Sequence, residues 1–167
     1  MRTKIQENDI IEAARQGNGQ FVSLFCERTL QAIGGELTAE TMQQLSADQI
    51  TLLAYGIVCR EIMEGGFIQL IHNGYGPFIF LNPFAKAMRL WGAKGLTNLI
   101  YEGRRLFEQY GEVLTEDCTD EEFMALYEQY EEFDELDDAF IEMEPEVTDI
   151  VAHYIDEHIE NFAEVEK

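Results

Sequence analysis

From Glu112 to Glu166 the sequence contains no lysine, no arginine and 22 acids, so its only base beyond Gly111 is Lys167. That absence excludes both a nucleic-acid-binding surface and the mixed-sign surface of an ordinary solvated helix in this stretch, since each needs cations. Proline is also scarce, at three residues in 167, which leaves little room for a linker. The three cysteines, Cys26, Cys59 and Cys118, are odd in number, widely spaced and in no C-x-x-C arrangement, which argues against a disulfide framework and for a reducing cytoplasm. At the N-terminus Gln6, Glu7, Asn8 and Asp9 stand where a secretory signal would be apolar.

Charge is lacking altogether from Gly65 to Ala85, a run about as long as a membrane-spanning helix. It is interrupted by Gly65, Gly66, Gly74, Gly76, Pro77 and Pro83 and carries Gln69, His72, Asn73 and Asn82. Lipid offers such freed backbone groups no partners, so the run is read as buried core and not as a membrane span. Strict alternation over a strand's length is missing too, whereas apolar residues recur at helical spacing almost throughout. These features, with 46% hydrophobic content, predict an all-α, single-domain helical bundle of roughly seven to nine helices over residues 1–167. Within it, 1–45 form N-terminal helices, 46–111 central core helices and 112–167 strongly acidic C-terminal helices.

Local signals place the helix ends. A helix through Phe21, Leu24, Phe25 and Leu30 stops at Gly34 and Gly35, and Ser46 with Gln49 forms a capping-box pattern that opens the next. That helix is uncharged from Gln49 to Cys59, so it belongs at the centre, and it stops at Gly65 and Gly66. A short helix follows from Phe67 to His72, ending at Asn73 and Gly74. The spacing predicts further helices over 83–91 and 95–110, separated at Gly92. "GYG" at 74–76 and "GAKGLT" at 92–97 read as turns, and Trp91, Met88, Met63 and Phe107 as core. Thr119 with Glu122 makes a second capping box, and Pro145 suits the first turn of a last helix that reaches Phe162.

Residues 1–111 hold 11 acids and 10 bases, a net of −1, and residues 112–167 hold 22 acids and one base, a net of −21. Disordered acidic tails lack aromatics, yet here Phe123, Leu126, Tyr127, Tyr130, Phe133, Leu136 and Phe140 recur every three or four residues, so the segment packs. Projected on a helix, Glu121, Glu128, Glu131 and Glu132 fall away from the first part of this stripe, and Asp134, Glu135, Asp138 and Glu142 from its second. The stripe drifts, leaving Asp134 and Asp137 near the apolar side, which predicts a break near 132–134. Like charges stand at i,i+4 in Glu128/Glu132, Glu131/Glu135, Asp134/Asp138 and Asp138/Glu142, each costing about 0.2–0.5 kcal/mol. Such repulsion invites compensation from outside the chain.

No calcium loop of the D-x-[DN]-x-[DN]-G type exists, and His153 and His158, five apart, fail the H-E-x-x-H pattern, so no metal site, cofactor or catalytic residue is predicted. A positively charged object fits better. Duplex DNA carries one charge per roughly 1.7 Å of axis. The 11 acids from Thr119 to Glu142 and the 6 from Pro145 to Glu164, on two helices rising about 1.5 Å per residue side by side, reach roughly one charge per 2 Å.

"EGGFIQLIHNGYG" (64–76) and "AMRLWGA" (87–93) resemble the motif of the bacterial DNA-mimic protein family, matching it at Gly65, Gly66, Phe67, Gln69, Asn73, Gly76, Gly92 and Ala93. "FDELDDAFIEME" (133–144) and "YIDEHIENF" (154–162) resemble its C-terminal helices, so the likeness covers about 50–162. Glu64 stands where the family usually has Asn. The resemblance implies an all-helical domain whose acidic surface occupies the DNA-binding site of a regulator. The glycine motif reads as a mark of the fold, serving close helix packing and a tight turn.

The leading expectation is therefore a non-enzymatic binding protein. Glu121, Glu128, Glu131, Glu132, Asp134, Glu135, Asp138 and Glu142 would stand in for phosphates toward a basic DNA-binding protein, a transcription factor or nucleoid protein. Direct nucleic-acid binding is not expected, and self-association as a homodimer is compatible with this reading. Two alternatives stay open: a small-molecule binder or enzyme using Gln69, His72, Asn73 and Tyr75, and an interaction protein whose acidity serves solubility alone.

Overall fold

A computed structural model describes residues 3–167. The chain is all-α, as the spacing predicts, with nine α-helices among the described residues: α1 Glu7–Gln16, α2 Asn18–Ala32, α3 Ala39–Met42, α4 Ala47–His72, α5 Gly76–Phe80, α6 Phe84–Trp91, α7 Lys94–Leu114, α8 Asp120–Gln129 and α9 Asp134–Glu157. Strands β1 (Lys4–Gln6) and β2 (Glu164–Glu166) pair in parallel. Two compact units result, one built from residues up to Gly56 with Pro145–Lys167 and the other from Ile57–Glu144.

In the first unit, Phe25, Leu52, Tyr55, Val151, Ile155 and Phe162 are buried. Gly34 and Gly35, at φ 89° and 91°, end α2, and the Gly35 N–H bonds the Leu30 carbonyl at 2.9 Å. The Ser46 box forms as predicted: the Ser46 hydroxyl accepts from Gln49 N–H at 3.1 Å, and the Gln49 side-chain oxygen accepts from Ser46 N–H at 2.9 Å. Gln49 also donates to the Phe162 carbonyl at 2.8 Å and to Thr3 at 3.0 Å. A cavity of about 630 Å³ opens beside these groups, lined by Thr3, Ser46, Gln49, Asn161, Phe162 and Val165 among others.

Three expectations here are corrected. Pro145 does not open the last helix but sits inside α9. It lacks the N–H that would have bonded the Ile141 carbonyl, and Ile141 itself is 48% exposed. Phe162 lies beyond α9, after a 3₁₀ turn at Ile159–Asn161. The β1–β2 pair had no legible signal, because alternation over three residues is too short to mark a strand and the partners are about 160 positions apart.

In the second unit, Phe67, Ile68, Leu70, Ile71 and Ile79 are fully buried, so the uncharged run supplies core, with its turns at Asn73–Gly74 and Leu81–Pro83 exposed, and no described helix is long and apolar enough to cross a membrane. The stop at Gly65–Gly66 appears as a break within α4, where Gly66 has φ 74° and ψ −175°. Gly74, at φ 88°, closes the helix that follows: Tyr75 N–H bonds the Leu70 carbonyl and Gly74 N–H that of Ile71. Gly92, at φ 107°, does the same for α6, with Ala93 N–H on the Met88 carbonyl at 2.8 Å.

Both glycine turns lead directly into helices: α5 starts at Gly76 with Pro77 in its first turn, and α7 starts at Lys94. Trp91 and Met88 are core, whereas Phe107 is half-buried and Met63 is 50% exposed. Met63 follows Ile62 and precedes Glu64 on the last turn before the break, the side of α4 that faces water.

Candidate acidic interface

The Thr119 capping box forms and starts α8: the Thr119 hydroxyl accepts from Glu122 N–H at 3.1 Å, and Glu122 returns a bond to Thr119 N–H at 3.3 Å. The helix ends at Gln129, Tyr130 leaves helical geometry at φ −122° and ψ 56°, and a 3₁₀ turn at Glu131–Phe133 delivers the chain into α9. This is the break that the drifting stripe predicts. Beneath it Phe133 and Phe140 are fully buried, and Phe123, Leu126, Tyr127, Tyr130 and Leu136 are half-buried. Rings fix the seam: His72 lies 4.8 Å from Phe123, and Tyr110 4.9 Å from Tyr130.

All eight carboxylates singled out, Glu121, Glu128, Glu131, Glu132, Asp134, Glu135, Asp138 and Glu142, are exposed. Among the described residues none of them is in an ion pair; the pairs that form join other acids, as in Arg104–Glu108 and Arg105–Glu102. The break redistributes their repulsion. Only Asp134/Asp138 and Asp138/Glu142 are at i,i+4 within one α-helix; Glu128/Glu132 crosses Tyr130, and Glu131/Glu135 begins in the 3₁₀ turn, so neither has α-helical i,i+4 spacing.

Local compensation also exists: Glu121 lies in the first turn of α8, and Asp134 and Glu135 in that of α9. There the helix dipole favours negative charge by about 0.3–1 kcal/mol each. Glu132 takes a hydrogen bond from the Tyr110 hydroxyl. That bond, with a backbone bond and the nearby Arg105, holds the Glu132 carboxyl below the usual range, and the same bond pushes the Tyr110 phenol up.

Two carboxylates outside the eight are tied into the fold of the second unit. Asp137, half-buried, accepts from Phe67 N–H at 2.8 Å, and burial first, then Asp134 and Asp138, push its carboxyl up to about 6 against the pull of that bond. Its place near the apolar side of the helix was legible in the sequence; its bond to Phe67 was not. Glu61, 4% exposed, accepts from the Gln69 amide at 2.9 Å and the Asn73 amide at 2.8 Å. No sequence signal marked it, because the three positions straddle a helix break.

The motif residues fall at two places. Around the α4 break, Gly65 and Gly66 meet Gln69 and Asp137, Phe67 is fully buried, Gln69 and Asn73 hold Glu61, and Gly76 lies against Phe107. At the α6–α7 junction, Gly92 caps and Ala93 is buried. The polar groups of the alternative pocket are engaged internally: His72 Nδ1 with the Leu114 carbonyl at 2.8 Å, and the Tyr75 hydroxyl with Arg60 at 3.1 Å. No group of three or more His, Cys, Asp or Glu among the described residues converges to hold a metal.

Residues 43–158 match the model of a family described as DMP19-like protein. The chain is also 35% identical over 147 residues, 86% of its own length and 85% of the relative's, to the DNA mimic protein DMP19 of Neisseria meningitidis serogroup B. By both comparisons, the chain belongs to the DMP19-like protein family.

Proposed function

We propose that this chain is a non-enzymatic DNA mimic of the bacterial cytoplasm, whose exposed carboxylates from Glu121 to Glu142 occupy the DNA-binding surface of a basic regulator. The observation that carries the reading is that all eight are exposed and none is ion-paired among the described residues. They lie in a stretch, 112–144, that holds 15 acids and no base. The relative's description as a DNA mimic protein supports it.

In this reading the carboxylates stand for phosphates and meet the lysines and arginines that a transcription factor or nucleoid protein presents to duplex DNA. Long-range attraction steers the encounter, so association slows as salt rises. The amides and hydroxyl of the 65–76 region are engaged within the fold, which favours this surface over that region as the working site.

The test is a pull-down from native bacterial lysate on the immobilised chain, at low and high salt, with and without competing duplex DNA. A basic DNA-binding protein should be retained at low salt and released by both salt and duplex. If no basic protein is retained, or duplex fails to displace it, the proposal is wrong.

A further inference from the structure

The break in α4 frees backbone groups in the interior of the second unit. With Gly66 at φ 74° the helical ladder is interrupted, and buried peptide groups without partners are costly. The partners come from the two acidic helices, one from each. The Tyr127 hydroxyl of α8 donates to the Gly65 carbonyl at 2.7 Å, and the Asp137 carboxylate of α9 accepts from Phe67 N–H at 2.8 Å. Both anchor bonds thus fall within three consecutive residues. Gly66 leaves the space the second needs, since a Cβ there would run into the Asp137 carboxylate.

We propose that Tyr127 and Asp137 are the positioning residues of the acidic interface: by tying α8 and α9 to the Gly65–Phe67 break, they hold the carboxylates from Glu121 to Glu142 as one rigid array. The proposal rests on the use of that surface argued above. It gives the Gly65, Gly66 and Phe67 part of the family motif a task beyond packing. Asp137 fits the role better than an apolar residue, which would avoid burying a charge but leave the Phe67 N–H of a fully buried residue without an acceptor. Asn fits the same geometry, because its side-chain oxygen still accepts.

The test reads geometry apart from binding. Spin labels are placed at Met124→Cys and Ile141→Cys, both exposed, with Cys26, Cys59 and Cys118 replaced by alanine. Pulsed EPR then gives the distance distribution between α8 and α9, and hydrogen exchange the protection of the Phe67 amide. The otherwise unchanged chain should give one narrow distribution. Asp137→Ala should broaden it and speed Phe67 exchange by about ten-fold, whereas Asp137→Asn should restore both.

An unchanged distribution and unchanged protection in Asp137→Ala would overturn the proposal. If that variant lacks a cooperative unfolding transition, Tyr127→Phe, which removes one hydroxyl, decides by the same distance measurement. A chain that shows these shifts yet captures no basic protein refutes the proposed use of the surface and leaves the anchoring intact.

Discussion

Residues 57–111 and 112–144 build one compact unit and treat charge in opposite ways. The first stretch holds 4 acids and 6 bases, a net of +2; the second holds 15 acids and no base, a net of −15. In the first, Glu61 is buried and takes two amide bonds, Arg104 pairs with Glu108 at 2.9 Å, and Arg105 pairs with Glu102 at 3.4 Å. Lys86, Arg89 and Lys94 are exposed and scattered among apolar residues. In the second, the carboxylates from Glu121 to Glu142 other than half-buried Asp137 face water, with helix N-termini and one tyrosine hydroxyl as local support. The first stretch ties three of its four acids, Glu61, Glu102 and Glu108, into hydrogen bonds or ion pairs, and the second leaves most of its acids exposed.

The sharpest way to break this comparison is to remove one acid from each side. Glu61→Ala strips two amides of their acceptor in a buried position and should cost about 1–3 kcal/mol in urea unfolding. Glu135→Ala, on the exposed side, should change stability by less than about 1 kcal/mol. Equal losses would mean that the two stretches do not differ in the way described.

Asp137 belongs to the acidic stretch by composition and to the packed one by burial, so it sharpens the boundary. Its carboxyl titrates at about 6 in the folded chain and near 3.9 when unfolded. Because the folded value is raised, its stabilising proton is fully in place below about 3.9 and is lost as pH rises through about 6. Asp137→Asn, neutral at every pH, should therefore melt higher than the parent chain at pH 8, with the gap closing toward pH 4. A gap independent of pH across that window would remove burial as the cause.

A small net effect on stability is expected from Asp134→Asn, Glu135→Gln and Asp138→Asn together. Relief of the two like-charge pairs, about 0.2–0.5 kcal/mol each, is opposed by loss of two favourable charges at the start of α9, about 0.3–1 kcal/mol each. The net change should stay within about 1 kcal/mol, while capture of a basic protein falls markedly. A large loss of stability would reassign these acids to the fold.

Much of this was legible because its causes are local. The boxes at Ser46 and Thr119 and the glycine stops at 34–35, 65–66, 74 and 92 each depend on residues within about four positions of one another, and the break expected near 132–134 on the drift of the stripe from Phe123 to Phe140. Pro145 departs from its local signal. Its local preference is a first turn, but buried apolar residues on both sides of it, Phe140 and Val147, carry α9 straight through. Met63 reads as core by residue type, but its position on the helix leaves it 50% exposed.

By itself the sequence determined the helical class, the helix ends and the segregation of acid into one stretch, since side-chain spacing and turn chemistry act over one or two helical turns. The tertiary structure decided which acids are spent and which are left over. Glu61 finds amides 8 and 12 positions away across a break, and Asp137 finds an N–H 70 positions away. Hydrogen bonds of that span form only when packing brings buried groups within reach of a partner.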